Sequence, residues 1–243
     1  MSVAVITGAT AGIGAAFARA LAAEGYELVL VARDGARLAA FADELPAKAT
    51  PLVADLTTPA GRVPVEELLA GDVDLLVNNA GMSLGRSLLN APPEDLDALL
   101  ALNVAAVQRL TRAVLPGMVE RRRGDVVNVS SVAGFLAQPG STYSASKAWV
   151  TNFSESTGLA MRRYGVRVMA LCPGYTRTEF HQRAGVDAGK IPNWLWLSAD
   201  DVVRAGLRDL RRGRLVSVPD WRYKAAAFGA RYGPRWLVRR ARG

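Results

Sequence analysis

The sequence predicts an α/β fold of the doubly wound type, a central parallel sheet of about seven strands flanked by helices. Three observations carry that expectation. Short runs rich in Val, Leu or Ile recur at 3–7, 28–32, 50–54, 73–78, 125–130, 166–171 and 215–218. None alternates strictly with polar residues, as strands buried on both faces require. Amphipathic stretches lie between them, at 13–24, 36–45, 93–100, 104–122, 143–164 and 199–211, and such alternation calls for a parallel sheet wrapped by helices. The 243 residues, 50% hydrophobic and 21% charged, suffice for one sizeable core and exclude wholesale disorder. One domain over 1–220 is expected, with 174–198 as a loop covering the site and a separate tail over 221–243.

Taken in order, the first strand runs straight into Thr7-Gly8-Ala9-Thr10-Ala11-Gly12-Ile13-Gly14 and a helical pattern. Glycines at such a turn let backbone N–H groups approach a pyrophosphate at a helix N-terminus. The spacing is G-x-x-x-G-x-G rather than G-x-G-x-x-G, so on this motif alone a plain flexible turn stays open. The second strand ends in Val31-Ala32-Arg33-Asp34. An acid at that tip binds ribose hydroxyls and repels a 2′-phosphate. Ala32 stands there instead, and the Arg33 guanidinium suits a phosphate. NADP(H) is therefore preferred, NAD(H) stays possible, and Asp34 is assigned to capping the next helix. After the third strand, Asp55-Leu56 places an acid where it can accept from an adenine amino group. Asn78-Asn79-Ala80-Gly81 closes the fourth strand, and Asn78 suits sheet bracing at least as well as cofactor contact. Pro92-Pro93-Glu94-Asp95 then starts a helix.

The stretch at 143–164 opens with Tyr143-Ser144-Ala145-Ser146-Lys147, twelve and thirteen residues after Ser131 and Ser130 at a strand end. Tyrosine and lysine four apart share one helix face. Alone, Y-x-x-x-K reads as an ordinary surface pair, but only 4 of the 30 basic residues are lysines. A phenol of pKa ~10 must fall by about 3, or ~4 kcal/mol, to act as a base at neutral pH. An ammonium ~4 Å away at an effective dielectric near 20 contributes about that much. The sequence thus predicts a Tyr143 phenol depressed by Lys147.

In this order, the glycine turn, Asp55, Asn78 to Gly81, Asn103 in Leu102-Asn103-Val104, Ser131 in Ser130-Ser131-Val132-Ala133-Gly134, Tyr143 with Lys147, and Pro173-Gly174 resemble the short-chain dehydrogenase/reductase family across residues 2–220. The resemblance implies a Rossmann fold of the short, single-domain, NADP(H)-preferring branch. It implies that Tyr143 is the general acid/base, that Ser131 hydrogen-bonds the reacting oxygen, and that Lys147 lowers the tyrosine pKa and holds the nicotinamide ribose. Asn103 would hold a water linking Lys147 to solvent. Ser131 is preferred to Ser130 because it begins the S-V-A-G stretch, although the family more often spaces serine and tyrosine by thirteen. Cofactor contacts are expected from Gly8, Thr10, Gly12, Ile13 and Gly14, from Arg33, Asp55 and Leu56, and from Asn79, Ala80 and Gly81. Tyr143, Lys147, Pro173, Gly174, Thr176 and Thr178 would follow along the nicotinamide.

Substrate and partners are less sharply written. Phe180, Trp194, Leu195 and Trp196 make the covering loop apolar, which points to a lipophilic ketone, aldehyde or alcohol; packing of the loop on the sheet explains them nearly as well. Family members commonly form homodimers or homotetramers through the helices that correspond here to 104–122 and 143–164. A single cysteine and a single histidine exclude an internal disulfide and a Cys/His zinc site, so no metal is expected. Cys172 reads as a small buried hydrophobe and His181 as a loop residue. The chain enters its first strand with no basic leader, and no apolar run approaches ~18–20 residues, so a cytoplasmic protein is expected. The net charge of +8 is concentrated: 1–220 hold 23 basic and 22 acidic residues, whereas 221–243 hold seven basic residues and no acid. Aromatics interleave with those charges. A solvated or dimer-packing extension is the first reading of the tail, peripheral contact with an anionic membrane the second, and nucleic acid a poor third, so no nucleic-acid partner is expected. An NADP(H)-binding regulator without turnover is the alternative to an enzyme, and an intact acid/base set argues against it.

Overall fold

A computed structural model describes residues 2–180, 189 and 191–232 of the chain. Its centre is a seven-stranded sheet in the order β3-β2-β1-β4-β5-β6-β7, every neighbouring pair parallel. The strands are β1 (Val3–Thr7), β2 (Glu27–Ala32), β3 (Ala49–Val53), β4 (Leu75–Asn78), β5 (Gly124–Val129), β6 (Val166–Leu171) and β7 (Val216–Ser217). The helices described are α1 (Gly12–Ala23), α2 (Gly35–Asp43), α3 (Pro59–Leu69), α4 (Pro93–Leu100), α5 (Val107–Glu120), α6 (Thr142–Met161), α7 (Ala199–Arg211) and α8 (Trp221–Tyr232). This is the doubly wound Rossmann architecture expected from the sequence. The strand order reverses between β1 and β4, and in such sheets ligands bind beyond the carboxyl ends of the strands at that switch.

Two-residue periodicity explains why the strands lack polar positions. Ala4 and Ile6 of β1, Leu75 and Val77 of β4, and Met169 and Leu171 of β6 enter a core shared with α1, α2 and α7. Val5, Leu76, Val126 and Val168 point the other way, into a core with Val65 and Leu69 of α3 and Leu110, Val114 and Met118 of α5. The edge strand β3 exposes Thr50, Pro51 and Val53, and an edge is where a proline without an N–H is tolerated.

Three elements differ from the sequence reading. Helix α3 was not anticipated, because Pro59, Gly61 and Pro64 resemble breakers. Pro59 in fact occupies the first turn, and the Thr58 hydroxyl caps the helix by accepting from the Gly61 amide at 3.0 Å. The helices expected at 93–100 and 104–122 are joined by a π-helical segment, Ala101–Ala106. The composite Pro93–Glu120 is long and apolar enough to cross a membrane by length and composition. Its Leu99, Ala106, Leu110, Val114 and Met118 are instead buried against the molecule's interior. Finally, the tail opens with α8, whose Tyr223 is 7% exposed and belongs to the core of the first sheet face. The Asp34 cap matches expectation, its carboxylate accepting from the Arg37 amide at 3.0 Å.

Candidate active site

Beyond the carboxyl ends of the strands lies a cleft of about 850 Å³. The turn after β1 forms one end. Gly8 and Gly12 adopt φ of +64° and +54°, and Gly12 approaches Thr178 so closely that a Cβ would stand 2.6 Å from its methyl carbon. Gly14 does not line the cleft; a Cβ there would fall 2.2 Å from the Gly8 carbonyl oxygen, so it serves the close return of α1 onto the turn. The Asn79 side-chain amide donates to the Thr7 and Gly8 carbonyls at 2.9 and 3.0 Å. Thr7, which the sequence reading passed over, accepts on its hydroxyl from the Asn79 and Ala80 amides, both at 3.0 Å. The turn is thus tied to the end of β4 before any ligand arrives. Asn78 is a brace, donating to Thr111 and Asn128 in the buried interior.

Gly8, Thr10, Gly12, Ile13, Arg33, Asn79, Ala80 and Gly81 all line this end of the cleft. Asp55 and Leu56 do not. Leu56 is buried in the second core. Burial would raise the Asp55 carboxyl, but hydrogen bonds from the Thr57 hydroxyl and amide, with Arg33 nearby, outweigh it and hold Asp55 below the usual carboxylate range. The fit to a dinucleotide therefore rests on the tight glycine turn, which leaves room where side chains would intrude, and on Arg33 at the rim. An Arg37–Glu179 ion pair connects α2 with the covering loop beside it.

The cleft floor is made by the ends of β5 and α6. Tyr143, Lys147, Ser130 and Ser131 all line it. The two serines are distinguished by their partners: Ser130 donates to the Lys147 carbonyl at 2.7 Å and lies 2.8 Å from the Thr151 hydroxyl. Ser131 hydrogen-bonds the Tyr143 phenol and accepts from the Ala133 amide at 3.1 Å. The Lys147 ammonium donates to the Val129 carbonyl at 2.8 Å and stands 5.8 Å from the centre of the Tyr143 ring.

Burial governs the protonation of this pair. It pushes the Tyr143 phenol up to about 12, against the downward pull of the Ser131 hydrogen bond. It pushes the Lys147 ammonium down to about 8. The depressed phenol expected from the spacing is thus not found in the protein by itself; burial dominates, and the Ser131 hydrogen bond offsets it only in part. Cys172 behaves as expected, fully buried with its thiol raised to about 11 by burial.

Asn103 is fully buried, and it does not line the cleft. Its carboxamide accepts from the Met82 amide and donates to the Met82 carbonyl, both at 2.9 Å, and to the Ser146 hydroxyl at 3.1 Å. The side chain joins the post-β4 loop to α6. The surrounding π turn is an interruption that recurs at functional sites.

A further wall of the cleft comes from Pro173, Gly174, Thr176 and Thr178, with Tyr175 and Phe180. Phe180 lies 5.6 Å from Tyr143, ring centre to ring centre. Trp194, Leu195 and Trp196 do not line the cleft; Trp194 is 61% exposed, and Trp196 packs on Tyr175. His181 and part of the covering loop lie outside the described residues. Sequence reasoning missed the wall formed by Tyr223, Ala226 and Ala227 of α8. Apolar positions at i, i+3 and i+4 were the available signal, hidden by attention to the tail's charge.

The sequence matches the short chain dehydrogenase family over residues 2–188. It is 33% identical over 213 residues to the 3-oxoacyl-[acyl-carrier-protein] reductase FabG of Escherichia coli, covering 84% of this chain and 87% of that protein. A short-chain dehydrogenase from Sphingobium yanoikuyae, solved in complex with NADPH, superposes with a TM-score of 0.86 at 38% identity, over 96% of this chain and 94% of the other. A bulky-bulky ketone specific alcohol dehydrogenase from Comamonas testosteroni gives a TM-score of 0.81 at 30% identity, over 100% of this chain and 97% of the other. With the order of its motifs, its sheet topology and these matches in agreement, the chain belongs to the short-chain dehydrogenase family.

Proposed function

We propose that the protein is an NADP(H)-dependent oxidoreductase that interconverts a bulky, lipophilic ketone or aldehyde and its alcohol, with Tyr143 as general acid/base. One observation carries this reading: Tyr143, its partner Ser131 and Lys147 share the floor of a single cleft whose other end holds the glycine turn and Arg33. The nicotinamide cofactor supplies the hydride. In reduction, a phenol held protonated by burial is fit to give its proton to the carbonyl oxygen as hydride reaches the carbon. Ser131 is placed to hydrogen-bond that oxygen, and the Lys147 ammonium to stabilise the phenolate left behind. Alcohol oxidation runs the same transfers in reverse.

Arg33 at the rim, with no acid at the tip of β2, supports NADP(H) over NAD(H), and the NADPH complex of the Sphingobium relative agrees. The apolar lining of the cleft, from Leu84, Leu136, Tyr175 and Phe180, supports a lipophilic substrate, as does the bulky-ketone specificity named for the Comamonas relative. Assembly into a homodimer or homotetramer through α5 and α6 and a cytoplasmic setting complete the proposal, with a solvated or dimer-packing role as the first reading of the basic tail and peripheral membrane contact as the second.

The test is NADPH consumption against a panel of aliphatic and aryl ketones, repeated with NADH. Wild type is expected to turn over bulky ketones more efficiently with NADPH. Tyr143→Phe should lose roughly 10²–10⁴-fold in kcat while still binding NADPH. No turnover on the panel alongside tight NADPH binding would overturn the proposal in favour of a regulator.

A further inference from the structure

Helix α8 begins where the net charge of the chain turns wholly basic, yet its first turn is built into the site. Tyr223 is 7% exposed, and its ring lies so close over Gly174 that a Cβ at that glycine would fall 2.1 Å from the ring. Its hydroxyl reaches two segments at once: it accepts from the Tyr175 amide at 3.1 Å and donates to the Leu195 carbonyl at 2.8 Å. Those segments are the two limbs of the covering loop. They are joined to each other as well, Leu197 donating to the Tyr175 carbonyl at 2.8 Å and Arg177 to the Leu197 carbonyl at 3.0 Å. The neighbouring Arg222 donates to the Trp194 carbonyl. One turn further along, Ala226 and Ala227 face the cleft beside Tyr223. A ring alone would fill the space; only the hydroxyl ties both limbs to the helix. Apart from glycine, alanine is the smallest residue a helix can present, so any larger residue at these positions projects further into the chamber.

We propose that α8 is the specificity wall of the substrate chamber, with Tyr223 as the positioning residue that holds both limbs of the covering loop and the Ala226–Ala227 face setting how bulky a carbonyl substrate is admitted. This rests on the oxidoreductase reading above for its substrate, but the latch has a readout that needs no turnover. Tyr223→Phe keeps the ring in the core and removes only the two hydrogen bonds. Losing both bonds should speed amide hydrogen exchange at Tyr175, Arg177 and Leu197 at least roughly tenfold. With benzophenone as the bulky probe, KM should rise about tenfold and kcat change less than about threefold, because a loosened wall binds substrate worse without touching the reacting atoms. Ala227→Phe should lower the ratio of kcat/KM for benzophenone over 2-butanone by at least about tenfold, the scale on which apolar pockets discriminate by size.

Unchanged exchange in Tyr223→Phe would overturn the latch. A proportional loss on both ketones in Ala227→Phe would overturn the wall. Wild type that turns over no carbonyl would overturn the oxidoreductase reading, and with it the assigned substrate; the exchange result reports on the latch independently and keeps the two failures distinguishable.

Discussion

Two adjacent serines show how a single residue's partners decide its role. Ser130 finds its partners inside α6, in the Lys147 carbonyl and the Thr151 hydroxyl, whereas Ser131 turns to the Tyr143 phenol. Ser131→Ala is therefore expected to lose more kcat than Ser130→Ala, by at least about tenfold, while Ser130→Ala shows itself mainly in stability. A larger kinetic loss for Ser130→Ala would reverse the assignment. Lys147 carries a different consequence. Its folded pKa of about 8 lies below the 10.5 of a free lysine, a gap equivalent to roughly 3 kcal/mol. Below pH 8 the lysine is charged in both states and its burial costs the folded one. As pH rises from 8 to 10.5 the folded state sheds that proton first, and the cost is relieved. The stability of Lys147→Met relative to wild type should thus be most favourable near pH 7 and decline by up to ~3 kcal/mol toward pH 10.5, read from urea unfolding at each pH. Tyr143, raised to about 12, acts oppositely only above pH 10 and is common to both proteins, so it cancels. A difference that does not vary with pH would show that Lys147 is not buried as a charge.

At the scale of elements, what was legible followed from period and order. The alternation of apolar runs with amphipathic stretches located the strands, and i,i+4 spacing placed Tyr143 and Lys147 on α6. What was hidden depended on tertiary contact. Proline at the start of α3 looks the same in sequence whether it ends a helix or begins one. The phenol's pKa depends on burial, which spacing does not report. Asp55 follows β3 as expected, yet its carboxylate turns to Thr57 instead of lining the cleft. Tyr223 escaped because its weight lies in two bonds to segments 28 and 48 residues away. Helix α6 offers a test of tertiary contact against local propensity. Gly158 lies where a Cβ would fall 2.5 Å from the Val168 carbonyl oxygen and 2.6 Å from a Leu215 methyl carbon. By helix propensity Gly158→Ala should gain about 1 kcal/mol; by overpacking against β6 it should lose about 1–3 kcal/mol. The second effect is larger because a backbone oxygen cannot swing aside, so a Tm lowered by about 2–8 °C is expected. A raised Tm would mean that α6 does not approach β6 this closely.

Across the whole molecule, charge divides into a body and an end. The body is balanced by count, and its arginines pair across elements: Arg37 with Glu179, Arg109 with Glu66, Arg121 with Asp72, Arg167 with Asp125 and Arg211 with Glu24. Such half-exposed pairs contribute little individually, but they leave the body with little net field. The excess of +7 belongs to 221–243, and within α8 the inner face is committed to the site while Trp221 and Phe228 are 74% and 67% exposed. Arg222 is paired with Asp220, and four of the seven charges, Arg235, Arg239, Arg240 and Arg242, follow α8 in the sequence. At about 1 kcal/mol per basic residue near an anionic surface, four or five such charges amount to several kcal/mol, enough for reversible attachment but not for permanent anchoring. The full chain is expected to cosediment with vesicles containing anionic phospholipid at low salt, to leave neutral vesicles unbound, and to detach by about 0.5 M salt as the Debye length contracts toward ~4 Å. Removing 233–243 should abolish sedimentation by taking away four of the seven charges while leaving Tyr223 in place. Failure to bind anionic vesicles at every ionic strength would return the tail to a solvated or dimer-packing role. Binding that survives high salt would instead assign the attachment to the exposed aromatics of α8, because apolar burial is not screened by salt.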